Sequence, residues 1–364
     1  MLANRIAPVK LRYSGGVNQD AVGRVRNHVE FLCSRPCAGR EAGSAEGRAA
    51  RDYIVRQLNN AGWATRIQPV PGCRGANIIA TPVGRSPGAN TILVAAHYDH
   101  IGRAMGEDAY WGADDNAAAV AVVLELARRL GEQPPDNLMI VAFDGEEPPH
   151  FLTEEMGAVR FCAEPPLALA DIDVAIVLDL VGHALGPDDA PAALRHSLFV
   201  LGAEKTDGLT DATTAAGEAT AGLSLHPLDL DVVPPLSDYE PFRRAGVPAL
   251  FLTGGRWRHY HELTDTPEKL DYTKVAATVD YVQQLVRACG RPLGRYEPGR
   301  PAWATTARSM TAVASQLATV SSQAGGMVTV LNDLGERLRD GDSIAPDDHA
   351  LLLASLAKLE QLLA

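Results

Sequence analysis

The chain has 364 residues, 46% of them apolar, and a formal net charge of -12. That length implies one large domain with an appendage, or two domains, and supplies enough apolar sequence for a sizeable core. An acidic chain without Lys/Arg blocks is a poor match to nucleic acid or an anionic membrane, so neither is expected as a partner.

The opening stretch MLANRIAPVKLRYSGG has no apolar core long enough for an export signal, and no uninterrupted apolar run reaches membrane-spanning length. Five cysteines (Cys33, Cys37, Cys73, Cys162 and Cys289) form a sparse, odd set that reads as reduced thiols in the cytoplasm. Cys33 and Cys37 have no second pair and read as incidental rather than as a zinc clip. Residues 20–32 and 45–61 are predicted helices, the second closed by Gly62. Strands follow at ATRIQPV and NIIAT, then at TILVAA, LMIVAF and VAIVLDL, and later at LFVLG and PALFLT. The three middle runs are continuously apolar, as in strands covered on both faces. Residues 117–130 make an amphipathic helix ended by Gly131. This alternation predicts a three-layer α/β/α sandwich with a mixed, mostly parallel central sheet, its early strands suited to antiparallel edge positions.

Residues 1–295 are assigned to this domain and residues 296–305, rich in Gly, Pro and Arg, to a linker. Residues 306–364 are read as a helical hairpin. From Met310 to Leu338 apolar residues recur in steps of three and four, a seam that Gly325 and Gly326 interrupt, and HALLLASLAKLEQLLA forms a second amphipathic helix. The hairpin either folds onto the main domain or serves as a homo-oligomerisation element.

Ligands of open α/β sheets bind at the carboxyl ends of strands. Those ends carry His97-Tyr98-Asp99, Asp144-Gly145-Glu146-Glu147 and Asp179, with Asp114-Asp115-Asn116 opening a helix and His259 and His261 following the last strand. Singly, each has a plain structural reading: a core histidine, a helix cap, a solvated acidic turn. Asp179 inside an apolar run is harder to dismiss, because a lone buried carboxylate is costly. Together they form an imidazole and carboxylate set that suits zinc. Five ligands exceed one tetrahedral site but suit two ions that share a carboxylate.

The motifs AAHYDH, GADDNAAAVAVVLELAR, FDGEE, LDL, SDYEPFRRAGVPALFLT and YHELTDTPEKLD resemble, in order, those of the co-catalytic di-zinc aminopeptidases, including bacterial leucyl aminopeptidases and aminopeptidases S and Y. The resemblance runs from about His28 to Arg291 and implies the zinc-exopeptidase fold. It implies His97 and Asp179 on one zinc, Glu147 and His261 on the other, Asp114 as the bridge and Glu146 as general base. Asp99 would orient His97, Asp265 would be a supporting acid, and the Asp114–Asp115 bond would be cis. It implies two Zn2+ per chain, with other divalent metals as substitutes, and a peptide or small amide substrate cleaved at a free N-terminus. Tyr239 stands where the family usually has histidine and is expected to pack rather than to donate to an oxyanion. Tyr110, Trp111, Phe151 and Trp257 are candidates to line an apolar substrate pocket, and Pro148 and Pro149 to stiffen the loop over the metals. The alternatives are a one-zinc glutaminyl cyclase, a binding protein on a dead scaffold, and hydrolysis of other amides. The last covers N-acyl amino acids or a carboxypeptidase-like substrate held by Arg258.

Overall fold

A strand buried on both faces must send alternate side chains into two cores, and the central strands do so. In a computed structural model, which describes residues 18–84, 88–104, 108–135 and 137–363, β3 (Thr91–His97) and β4 (Leu138–Phe143) are buried along their whole length. Ile92, Val94, Ile140 and Ala142 enter one core, while Leu93, Ala95, Met139, Val141 and Phe143 enter the other. The stretch MLANRIAPVKLRYSGG, with its export-signal reading, lies outside the described residues.

The other strands are β1 (Trp63–Val70), β2 (Gly75–Pro82), β5 (Ile172–Asp179), β6 (Ser197–Leu201), β7 (Ser224–Leu228) and β8 (Ala249–Thr253). They form one eight-stranded sheet in the order β1-β2-β4-β3-β5-β8-β6-β7. The β4-β3-β5-β8 centre is parallel, β1 and β2 are antiparallel additions, and β6 pairs antiparallel with β8. The sequence reading missed β7, which contains Pro227. Proline is tolerated there because β7 is the sheet's outer strand.

Four helices cover one face: α1 (Gln19–Leu32), α2 (Ala45–Asn60), α3 (Ala119–Leu130) and α8 (Tyr272–Ala288), with α6 (Leu209–Glu218) beside them. Asn18 caps α1, Ser44 caps α2 and Asp271 caps α8, each accepting backbone N–H groups that would otherwise be unpaired. The other face carries α4 (Gly157–Ala163), the single turn α5 (Ala192–Arg195) and α7 (Tyr239–Arg244). The C-terminal helices α9 (Trp303–Leu317), α10 (Ser322–Arg337) and α11 (Pro346–Leu363) pack on that same face. The result is the expected three-layer α/β/α sandwich.

The seam from Met310 to Leu338 is two helices, not one. The chain turns between Leu317 and Ser322, and Gly325 and Gly326 sit inside α10. α9 and α10 lie against each other as a hairpin, and α11 folds back on both. Met310, Val313 and Leu317 of α9 share a core with sheet residues such as Val177 and Phe251. Among the described residues, no helix is long and apolar enough to cross a membrane.

Candidate metal centre

The carboxyl ends of the parallel strands converge on one buried cluster. His97 closes β3, Asp179 closes β5, and Glu146 and Glu147 lie in the turn after β4. The loop after β8 brings His261, in a left-handed conformation. His97 Nε2 lies 3.5 Å from Asp115 Oδ1, 3.5 Å from Asp179 Oδ1 and 3.8 Å from Glu146 Oε2. His261 Nε2 lies 3.1 Å from Asp115 Oδ2 and 2.9 Å from Glu147 Oε2.

The structure corrects one expected ligand. Asp114 is not in the cluster; Asp115 is. The Asp114 carboxylate accepts the Gly182 and His183 amides and meets His183 Nδ1 at 2.6 Å, which ties it to the loop after β5. The cis peptide is likewise one residue later than expected, at Asp115–Asn116. The cause is the local turn. The backbone kinks within Ala113–Ala118, with non-helical angles at Asp115 and Asn116, so the two adjacent acids point to different places and the resemblance was carried to the wrong one.

Several groups hold that turn in place. Asp265, as supporting acid, accepts the Asp114 and Asp115 amides at 2.9 and 3.1 Å. Arg40, fully buried, donates to the carbonyls of Tyr98, Trp111, Gly112 and Asp115. Gly112 has φ +55°, and a Cβ there would come within 2.2 Å of the Asp115 carbonyl oxygen, so glycine is required. Asp99 lies 3.7 Å from His97 Nδ1 and accepts the Glu146 and Glu147 amides, both at 3.2 Å. One carboxylate thus positions the histidine and the acidic pair together.

Three further residues were not anticipated. His100 Nδ1 sits 2.8 Å from Glu147 Oε1. His100 is the fourth residue of HYDH, and nothing in that motif distinguishes it from a core histidine. Arg40 carried no signal, because its partners are all backbone oxygens. Asp238 is buried, and among the described residues neither carboxylate oxygen has a hydrogen-bond partner. Of the four candidate pocket aromatics, only Phe151 lines the cavity beside the cluster. Trp257 stacks on His183, and the exposed Arg258 bonds His259, which pairs with Thr264.

Electrostatically the cluster is unbalanced. Burial pushes Glu146 well above the usual carboxylate range; His97 opposes this, and Asp179 and Glu147 reinforce it. Burial raises Asp179, and it raises Asp238 strongly, with Asp99 and Asp179 adding to the latter. Burial would also raise Glu147, but hydrogen bonds from His100 and His261 pull it down to about 2. Burial would lower His261, yet Asp115 and Glu147 lift it to about 10.

These residues fit a divalent metal. His97 Nε2, Asp115 Oδ2, Asp179 Oδ1 and His100 Nε2 are buried with no hydrogen-bond partner among the described residues. Orphaned acceptors at such density are otherwise costly. The ligand atoms of His97, Asp115 and Asp179 lie within 4.8 Å of one another, as do those of His100, Asp115 and Glu147. Asp115 belongs to both groups. A third group joins His97 to Glu146 and Glu147.

Comparison with known proteins gives the family and the fold. Residues 77–286 match the family model of peptidase family M28. The uncharacterized protein YfbL of Escherichia coli K12 is 30% identical over 259 residues, spanning 65% of this chain and 78% of that one. Glutaminyl-peptide cyclotransferase of Bos taurus is 28% identical over 295 residues, spanning 68% and 76%. Among solved structures, BSAP, a zinc aminopeptidase from Bacillus subtilis, superposes with a TM-score of 0.59 at 15% identity, over 75% of this chain and 95% of that one. At that identity the likeness shows the fold.

Proposed function

The chain belongs to peptidase family M28, and from that premise we propose that it is a di-zinc aminopeptidase, with Glu146 as its general base. The observation that carries the reading is the place of Asp115, which groups with His97 and Asp179 on one side and lies 3.1 Å from His261 Nε2, itself 2.9 Å from Glu147 Oε2, on the other. His97 and Asp179 would hold one ion, Glu147 and His261 the other, and Asp115 both. Zinc bound there supplies Lewis acidity and lowers the pKa of its water. Glu146 Oε2, 3.8 Å from His97 Nε2, stands beside the ligands and takes the water's proton as the scissile carbonyl is attacked. It then delivers that proton to the leaving amine.

A second reading, glutaminyl cyclisation on one zinc, is favoured by the likeness to the Bos taurus cyclotransferase. Metal content per chain, measured with hydrolysis of aminoacyl-p-nitroanilides, separates the two. Two zincs and chelator-sensitive release support the peptidase. One zinc, with cyclisation of an N-terminal glutamine and no anilide release, overturns it.

A further inference from the structure

A cavity of about 420 Å³ opens from Glu146, Glu147 and Asp179. Its volume falls in the range that takes a whole drug-sized ligand, more than one leucine side chain needs. Its far wall is built by the C-terminal helices. Met310 and Val313 of α9 and Leu353, Leu356 and Leu363 of α11 line it. These helices lie beyond residue 286, where the match to the peptidase family ends, so this wall lies outside the matched region.

Helix α11 presents one leucine stripe, Leu352, Leu356, Leu359 and Leu363, at steps of four, three and four. Leu352 and Leu359 are buried in the core that α9 and α10 share. Leu356, Leu359 and Leu363 of that stripe, with the exposed Leu353, also line the cavity that opens from the acidic cluster. A rim ion pair, Arg256 Nε to Glu360 Oε1 at 3.3 Å, joins α11 to the loop that carries His261. Between the acidic end and this rim the lining is mostly aliphatic and aromatic, Phe199, Leu236 and Phe251 among it, with Thr253 and Tyr260 as its polar members.

We propose that α11 forms the outer wall of an acyl-side substrate chamber, and that the substrate is an amide whose acyl part carries an apolar group longer than any aliphatic amino-acid side chain. This rests on the peptidase reading for the position of the scissile bond. An α-aminoacyl group with a long side chain and a simple fatty acyl group share this chemistry.

The test is a chain-length series run in two arms: p-nitroanilides of alanine, norvaline, norleucine and longer α-aminoalkanoic acids, and N-acyl amino acids of matching acyl length. The expected result is a rise in kcat/KM of about fourfold per added methylene until the chamber is full. Leu356→Arg should collapse the ratio of long- to short-chain kcat/KM toward one, whereas a purely structural defect lowers both alike. Ala357→Trp, which fills the same space, serves if Leu356→Arg does not fold. Calorimetric binding of n-alkylamines of increasing length reads the chamber without turnover. Length-dependent binding that Leu356→Arg abolishes, with no hydrolysis in either arm, keeps the chamber and removes the peptidase reading. A rise confined to the N-acyl arm keeps the chamber and removes the requirement for a free amine. Hydrolysis and binding both indifferent to chain length overturn the proposal. So does a Leu356→Arg protein that changes from dimer to monomer by light scattering with its length preference intact, because α11 would then face a second copy.

Discussion

Glu125 and Glu146 are both buried carboxylates, and their surroundings are opposite. Glu125, on α3, receives hydrogen bonds from three guanidiniums, those of Arg24, Arg128 and Arg129, at 2.8 to 3.0 Å. Burial alone would raise its pKa, but those bonds pull it down to about 2. Glu146 has one cationic candidate nearby, His97, and three carboxylates around it, and its pKa moves the other way. A buried charge with all its lone pairs satisfied is a fastening. A group of buried charges that lacks cations and leaves ligand atoms unpaired is stable only with a cation supplied from outside.

The largest effect that would break this contrast comes from Glu146→Gln. It removes the proton acceptor and leaves the ligand set, so turnover should fall by about 10²–10⁴-fold. Metal content, read by atomic emission, should stay at the wild-type value, and thermal stability should not drop. Full activity in that variant removes Glu146 from its role, and loss of metal makes it a ligand instead.

The matching change on the other side, Glu125→Gln, should leave kcat per folded molecule unchanged and lower the unfolding free energy by about 3–5 kcal/mol in chemical denaturation. The pH dependence follows in sign. The folded pKa of about 2 lies below the ordinary value of 4.5. The stabilisation is therefore complete above the ordinary value and is lost as pH falls from there toward 2. Wild-type stability should fall through that window more steeply than the variant's. Parallel curves would mean that the three arginines contribute nothing net.

The two regions were not equally legible in the sequence. The acidic strand ends stood out because the apolar runs before them fix where each parallel strand stops. What failed was resolution within a motif. Asp114 and Asp115 are adjacent acids before an apolar helix, and only the backbone kink at Asp115 and Asn116 decides that Asp115 faces His97 while Asp114 anchors His183. Glu125 gave no sign of its burial, since two of its arginines are helical neighbours that suit an exposed face equally well. In the C-terminal segment, glycines marked the wrong break. Tertiary packing held Gly325 and Gly326 inside α10 and turned the chain several residues earlier. The leucine stripe of α11 was visible in the sequence, but periodicity cannot say what a face covers.

His100 offers a smaller and sharper test. Its Nδ1 bond to Glu147 Oε1 positions a proposed ligand, as Asp99 does for its neighbours. Replacing such a partner typically costs about 10–100-fold in metal affinity. In His100→Asn, competition with a chelator should show one of the two ions weakened by that factor, with kcat of the fully loaded enzyme largely kept. Unchanged affinity for both ions would place His100 with the satisfied structural groups, beside Glu125.

Tyr239 should give the smallest effect. It stands next to Asp238, close enough to the centre in sequence to be considered as an oxyanion donor. The structure turns it away. Its hydroxyl donates to the Pro234 carbonyl at 3.1 Å, and its ring packs on Phe251 at a centroid distance of 4.8 Å. The residue is almost fully buried, so its ring contributes packing and its hydroxyl one neutral hydrogen bond. Tyr239→Phe keeps the ring and removes that bond, which should cost about 0.5–1.5 kcal/mol of stability. The Pro234 carbonyl belongs to the loop that lines the chamber facing α11. A looser loop should therefore raise KM for long-chain substrates slightly while leaving kcat in place. A kcat drop of about 10²-fold or more, the size that follows removal of an oxyanion donor, would move Tyr239 from the packed region into the catalytic one.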